Sequence, residues 1–223
     1  MAHTVTEVKE FDHKRNRVTL DNGEVTFLLY KGECRKLRIT AAEPAAAGPG
    51  SGLGDETYRQ IMEDILLPRA KKRILHYLKN GDKSREQIRR KLREGYYPEE
   101  IIDRTFAFLD KYGFADDAGY AERLIDELRG TKSVREIGAK LAQKGIRGEE
   151  IKALLEEIPA EEEEAACLDV LRKKYRFGIG PEDRKKAFAY LARRGFSFDS
   201  IGKAMEKLGC SLPGEETGYG DND

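Results

Sequence analysis

The sequence predicts a mainly α-helical protein: three tandem three-helix repeats in an elongated, curved array, preceded by a small N-terminal β-hairpin extension. Three observations lead there. Apolar residues recur at helical spacing almost without break from Asp55 to Leu208. One segment pattern returns twice, at intervals of 49 and then 50 residues. Near the N-terminus the pattern is instead an alternation of apolar and polar residues around an Asn-Gly pair.

In the extension, taken as residues 1–40, Val18 and Leu20 precede Asp21-Asn22-Gly23, and Val25, Phe27 and Leu29 follow. Asn-Gly suits a type I′ turn because both central residues need positive φ, which Asn tolerates and Gly adopts freely. A third strand is expected over Cys34 to Ile39. So few short strands bury little surface alone, so this element is expected to dock on the rest of the chain or on a partner. Residues 41–54, AAEPAAAGPGSGLG, gain too little from burial to offset the entropy of ordering them and read as a flexible linker. Removal of residues 1–54 is therefore expected to leave the repeats folded.

Asp55 to Leu67 carries Tyr58, Ile61, Met62 and Ile65 on one side of a short helix. The repeats then divide as residues 55–112, 113–159 and 160–209, with 210–223 a disordered tail. Ser84 to Ile102, Ser133 to Ile151 and Asp183 to Ile201 align on Leu92, Leu141 and Leu191. Gly95, Gly145 and Gly195 follow these leucines and stand where a left-handed helix-terminating residue is expected. Tyr97-Pro98, Gly148 and Ser197 or Asp199 then open the next helix. Stripes such as Ile88 and Leu92, or Ile101, Ile102, Phe106 and Leu109, must be covered. A third helix for each repeat is supplied by residues 69–80, 117–129 and 161–176. Repeats that touch chiefly their neighbours present a long surface rather than a pocket.

Charged residues make up 37% of the 223 and apolar ones 39%, with 7 Pro and no Trp, the profile of a solvated helical protein with a thin core. That argues against a broad, buried catalytic pocket. No segment approaches the roughly 18 to 20 continuous apolar residues of a spanning helix, and MAHTVTEVKEFDHKRNR has no apolar stretch of signal-peptide type. A cytoplasmic location without membrane association is expected. Cys34, Cys167 and Cys210 give neither a disulfide framework nor a CxxC half-site. His3, His13 and His76 lack a second ligand at i+3 or i+4, so no metal is expected. The glycines at 48, 50, 52 and 54 lack the lysine and strand of a phosphate loop, so no nucleotide cofactor is expected either. Asp116 with Asp117, and the run Glu161 to Glu164, read as helix-start residues. An enzyme needs titratable groups converging from several elements; none can be assembled, and no catalytic residue is assigned.

The charge is unevenly spread. Residues 69–112 hold 13 Lys and Arg against 7 Asp and Glu, a net +6. Residues 113–164 hold 8 against 14, a net −6, and residues 165–209 hold 11 against 5, again +6. Two basic blocks flank an acidic one, a distribution suited to a polyanionic partner.

The run RAKKRILHYL, then SREQIRRKLREGYYPEEIIDRTFAFLDKYGFADDAGYAERLIDELRG, then KLAQKGI and LARRGFSFDSIGKAM, resembles the RecX family over residues 69–208, in order as well as in content. The specificity lies in the succession, above all in Leu109 to Ile125 and Tyr190 to Ile201. The hairpin and linker lie outside the three-repeat core, although some family members carry a β-rich N-terminal extension. The resemblance implies a RecA regulator that lies in the groove of the RecA filament on single-stranded DNA, bridges neighbouring subunits, and alters filament growth, ATP hydrolysis, strand exchange and the SOS response. The partners implied are the RecA filament and single-stranded DNA, with duplex DNA as a further one, and a monomer is expected. The alternative is a stand-alone nucleic-acid-binding helical-repeat protein.

Phosphate neutralisation needs cations held together, which helices present in rows at i, i+3 and i+4. The candidate contacts are Arg69, Lys72 and Arg73; Arg89, Arg90 and Arg93; Arg172, Lys173 and Lys174; Lys185 and Lys186; and Arg193 and Arg194. Arg89, Arg90, Arg93, Arg193 and Arg194 are preferred, on the reading that they recur at matching places in the first and third repeats. Solvated helix faces look much the same. Tyr97 and Phe198, beside the basic rows, are candidates for stacking on unpaired bases, whereas Tyr96 and Phe196 are read as buried anchors matching Ile146.

Overall fold

The computed structural model describes residues 3–40 and 52–210. Residues 41–51 of the linker expected over 41–54, and residues 211–223 of the tail expected over 210–223, lie outside the described residues. The chain divides after Asp116 into two compact units.

The first unit opens with strands β1 (His3–Glu10), β2 (Arg15–Leu20) and β3 (Val25–Tyr30). Leu20 pairs with Val25 across the β2–β3 turn. In that turn Asn22 and Gly23 both take positive φ, 56° and 107°, and the Glu24 N–H closes on the Asp21 carbonyl at 3.4 Å, as the Asn-Gly pair predicts. Strand β1 is not foreseen from the sequence. Its two valines, Val5 and Val8, stand three apart, and the register against β2 shifts between Val5 and Glu7; this bulge breaks the period-two pattern that sequence reading depends on. The strand expected over Cys34 to Ile39 is instead a helix, α1 (Lys31–Lys36). The Glu33 carboxylate accepts from the Tyr30 N–H at 2.7 Å and starts it, and Arg38 at φ 54° ends it. Gly52 and Leu53, expected in the linker, form β4 and pair with β1, giving a four-stranded sheet in the order β3-β2-β1-β4.

Helices α2 (Asp55–Gln60) and α3 (Leu67–Leu78) are joined through a π-helical turn over Ile61–Leu66, in place of the separate short helix expected. Pro68 accounts for the widening. A proline has no N–H and its ring crowds the carbonyl four residues back; the wider turn removes that clash, and the Leu67 N–H bonds to Met62 instead. Helices α4 (Arg85–Arg93) and α5 (Glu99–Lys111) complete the unit. Ser84 caps α4, accepting from Gln87 N–H at 3.2 Å, while Gln87 Oε1 accepts from Ser84 N–H at 3.0 Å. Val18, Leu20, Phe27 and Leu29 of the sheet share one core with Ile61, Met62, Ile74, Leu92, Ile101 and Phe106 of the helices. The extension therefore docks on the rest of the chain, one of the two alternatives expected for it, and shares a core with helices α2 to α5.

The second unit holds α6 (Asp117–Leu128), α7 (Val134–Gln143) and α8 (Glu149–Glu156) around Ala121, Ile125, Ile137, Leu141, Ile146 and Ile151. It also holds α9 (Ala160–Lys174), α10 (Arg184–Arg193) and α11 (Phe198–Glu206) around Cys167, Leu171, Leu191, Phe196, Ile201 and Met205. Polar contacts tie these two triplets together. The Ser133 hydroxyl donates to the Arg194 carbonyl at 2.7 Å, and the buried Glu163 carboxylate accepts from Val134 N–H at 3.1 Å and from the Ser200 hydroxyl at 2.9 Å. Glu163 thus satisfies a donor at the N-terminus of α7 in addition to standing in the first turn of α9.

Candidate nucleic-acid interface

Arg69, Lys72, Arg73 and His76 stand at i, i+3, i+4 and i+7 on α3, which places them on one face. That face is the floor of a cleft of about 610 Å³ whose other sides come from Arg15, Leu28 and Tyr30 of the sheet and from Gly95 and Tyr97 beyond α4. Two of its cations already have partners. Arg69 pairs with Glu33 at 2.6 Å, donates to the Leu28 carbonyl at 3.3 Å and lies 4.8 Å over the Tyr30 ring. Arg15 reaches one oxygen of Asp12, Oδ2, from both Nη2 at 2.6 Å and Nε at 2.8 Å, and its guanidinium holds the Asp12 carboxyl down to about 2. Lys72 and Arg73 have no acidic partner among the described residues, and the Arg73 Nε is buried without a hydrogen-bond acceptor. Sequence reasoning missed Arg15 and His76. His76 was within reach, one further step on the 69, 72, 73 row, but Arg15 comes to the cleft only through the docking of the sheet.

The α4 row is less available than its sequence suggests. Arg89 pairs with Glu99 at 3.1 Å and Asp103 at 3.6 Å and lies over Phe106, while Arg93 pairs with Glu99 at 2.7 Å. The Arg93 hydrogen bond in particular holds the Glu99 carboxyl below its usual range. Arg90 is exposed and has no acidic partner among the described residues.

Backbone hydrogen bonds correct the alignment of the repeats. The N–H groups of Tyr97, Ile146 and Phe196 bond to the carbonyls of Leu92, Leu141 and Leu191, so these three are equivalent. The left-handed residues just before them are Tyr96, Gly145 and Gly195, at φ 57°, 81° and 86°. Gly95 is thus not the left-handed position, and Tyr97, not Tyr96, is the buried anchor, 8% exposed. Tyr97 is a core residue with an edge on the cleft and offers no face to a stacked base. The same register sets Arg193 and Arg194 opposite Glu94 and Gly95, so the reading that they recur with the α4 arginines does not hold.

In the second unit the cations again sort into occupied and open. Arg194 pairs with Glu136 at 3.0 Å, Lys173 with Asp169 at 2.5 Å and Lys186 with Asp183 at 2.9 Å; Lys174 lies 4.0 Å over the Tyr190 ring. Arg172, Lys185 and Arg193 are exposed with no acidic partner among the described residues. Phe198, 72% exposed, stacks on Phe188 at 5.6 Å and keeps an open face. The described residues hold no group of three or more His, Cys, Asp or Glu that could ligate a metal, and no helix among them is long and apolar enough to cross a membrane.

The helical domains of this chain have counterparts in known proteins. The family model described as the first three-helix domain of RecX matches residues 70–109, which run through α3, α4 and α5, and the model of the third three-helix domain matches residues 161–205, in α9 to α11. The "Regulatory protein RecX" of Clostridium acetobutylicum is 30% identical over 221 residues, 92% of this chain and 96% of that protein. That of Chlorobium phaeobacteroides is 32% identical over 143 residues, 60% of this chain and 89% of the other. A solved structure, "Crystal structure of regulatory protein RecX", shares the fold with a TM-score of 0.57 at 20% identity, covering 93% of this chain and 98% of its own.

Proposed function

Because the chain belongs to the RecX family, we propose that it modulates the RecA recombinase by binding the RecA filament on single-stranded DNA and changing its stability, ATP hydrolysis and strand exchange. The carrying observation is the likeness to a regulatory RecX protein along nearly the whole of both chains. The physical features agree. Open cations stand in both units, Lys72, Arg73 and Arg90 in the first and Arg172, Lys185 and Arg193 in the second. Exposed cations without internal partners release counterions when they meet phosphates, and this supplies sequence-independent affinity for a nucleoprotein surface. Acidic residues dominate residues 113–164, and these repel DNA and suit contact with protein.

The test is ATP hydrolysis by RecA on circular single-stranded DNA, followed as this protein is titrated in. A saturable change in hydrolysis rate is expected, in either direction. A rate unaffected at a molar ratio that saturates the filament overturns the proposal.

A further inference from the structure

We propose that the cleft between the sheet and α3 is a phosphate site that anchors one backbone phosphodiester of single-stranded nucleic acid. The inference rests on the reading above and names where the strand is held in the first unit.

The cleft is one-signed. Arg15, Arg69, Lys72, Arg73 and His76 line it, and no carboxylate does among the described residues. Arg69 and Arg15 are held by ion pairs to Glu33 and Asp12, neither of which is among the residues lining the cleft. Arg73 and Lys72 are left uncompensated, and the Arg73 Nε, buried without an acceptor, needs an oxygen that the described residues do not supply. Arg73, Arg69 and Arg15 line the cleft together with Tyr97; burial pushes the Tyr97 hydroxyl up, and these three nearby charges pull against it. A tetrahedral oxyanion with several acceptors satisfies such a cluster, since charge-assisted bonds from guanidinium to phosphate are strong and directional. The rim points to a single strand. The Tyr30 ring is 45% exposed with Arg69 on one face, leaving the other face for an unpaired base, which a duplex does not present.

The experiment measures binding of a short fluorescein-labelled oligothymidylate to the full chain at low and at physiological salt, with Lys72→Glu and Arg73→Gln tested singly. Lys72 is exposed, so its replacement leaves folding intact, and a thermal melt verifies this for Arg73→Gln. Lys152→Glu, an exposed lysine of the second unit, controls for net charge. Each cleft variant is expected to weaken binding about tenfold and to flatten the salt dependence by about 0.7 log units per log unit of salt for each phosphate no longer neutralised, with the control far weaker in effect. Unchanged affinity, or equal weakening in the control, overturns the site. Inorganic phosphate is the second probe; if it displaces the oligothymidylate at concentrations matching the oligomer's own affinity, the cleft binds a free phosphate group and the nucleic-acid assignment fails. The RecA reading is separable. Absence of RecA modulation in the wild type with oligomer binding still sensitive to Lys72 defeats that reading and keeps the site, whereas modulation retained with cleft-insensitive oligomer binding does the reverse.

Discussion

Arg194 and Glu136 form a 3.0 Å ion pair that joins the end of α10 to the first turn of α7. Glu136 also holds Lys132 at 3.0 Å, and the Arg194 carbonyl receives the Ser133 hydroxyl. A residue that reads in sequence as half of an exposed basic pair is therefore part of the seam between the two helical triplets of the second unit. Arg194→Ala should destabilise that unit by about 1–2 kcal/mol, the usual effect of removing a partly buried bond to a charged group, whereas Arg193→Ala should change stability by less than about 0.5 kcal/mol. Urea unfolding of both variants checks this, and equal effects would remove Arg194 from the seam.

The same pair sets an acid limit. Burial pushes the Glu136 carboxyl up, but hydrogen bonds from Lys132 and Arg194 outweigh it and hold the group below its ordinary value of 4.5. A carboxyl lower in the folded than in the unfolded chain stabilises the fold above about pH 4.5 and loses that contribution as pH falls through the lowered folded value. Unfolding measured from pH 7 down to about pH 3 should show an acid decline that is shallower in Glu136→Gln. Parallel curves would contradict the assignment.

Gly195 meets two constraints at once. Its φ is 86°, and an added Cβ would lie 2.9 Å from the Arg135 Cβ. Gly195→Ala should therefore cost more than the roughly 1–2 kcal/mol of a left-handed alanine alone. Tyr96 already bears such a strain at φ 57°, with its ring edge-on to Phe11 at 5.3 Å. Tyr96→Gly relieves the strain and removes that ring pair, and its stability should stay within about 1 kcal/mol of the wild type. Thermal unfolding distinguishes these, and a harmless Gly195→Ala would show that the junction is loose.

Removing residues 1–54 should unfold the first unit. The deletion strips Val18, Leu20, Phe27 and Leu29 from a core shared with Ile61, Met62 and Leu66, each fully buried side chain being worth about 1.5–3 kcal/mol. Calorimetry of the truncated chain should lose the transition of the first unit, and the chain should bind a hydrophobic dye. A truncated chain that melts as the full one does would show the helices to be self-sufficient.

Much of the fold was legible because helical periodicity and glycine-terminated helices are local signals. Leu92, Leu141 and Leu191 mark three equivalent positions in sequence and in structure. The misreadings have physical causes. A bulge between Val5 and Glu7 hid β1, and a tyrosine in the left-handed position shifted the alignment of the first repeat by one residue, which moved the buried role from Tyr96 to Tyr97. The basic rows were visible as composition, but their availability was not: whether Arg89 or Arg90 is open depends on Glu99 and Asp103, which reach α4 only after α5 folds back. The cleft was half legible, since α3 supplies its floor in sequence order while Arg15 and Tyr30 arrive from the sheet.

The most direct measurement is co-sedimentation with preformed RecA filaments on single-stranded DNA, compared with the same DNA bare, at two salt concentrations. Binding to the filament should be tighter and less salt-sensitive, because protein contacts add to the phosphate contacts. Equal, salt-limited binding to filament and bare DNA would contradict the RecA assignment and leave a stand-alone nucleic-acid-binding protein.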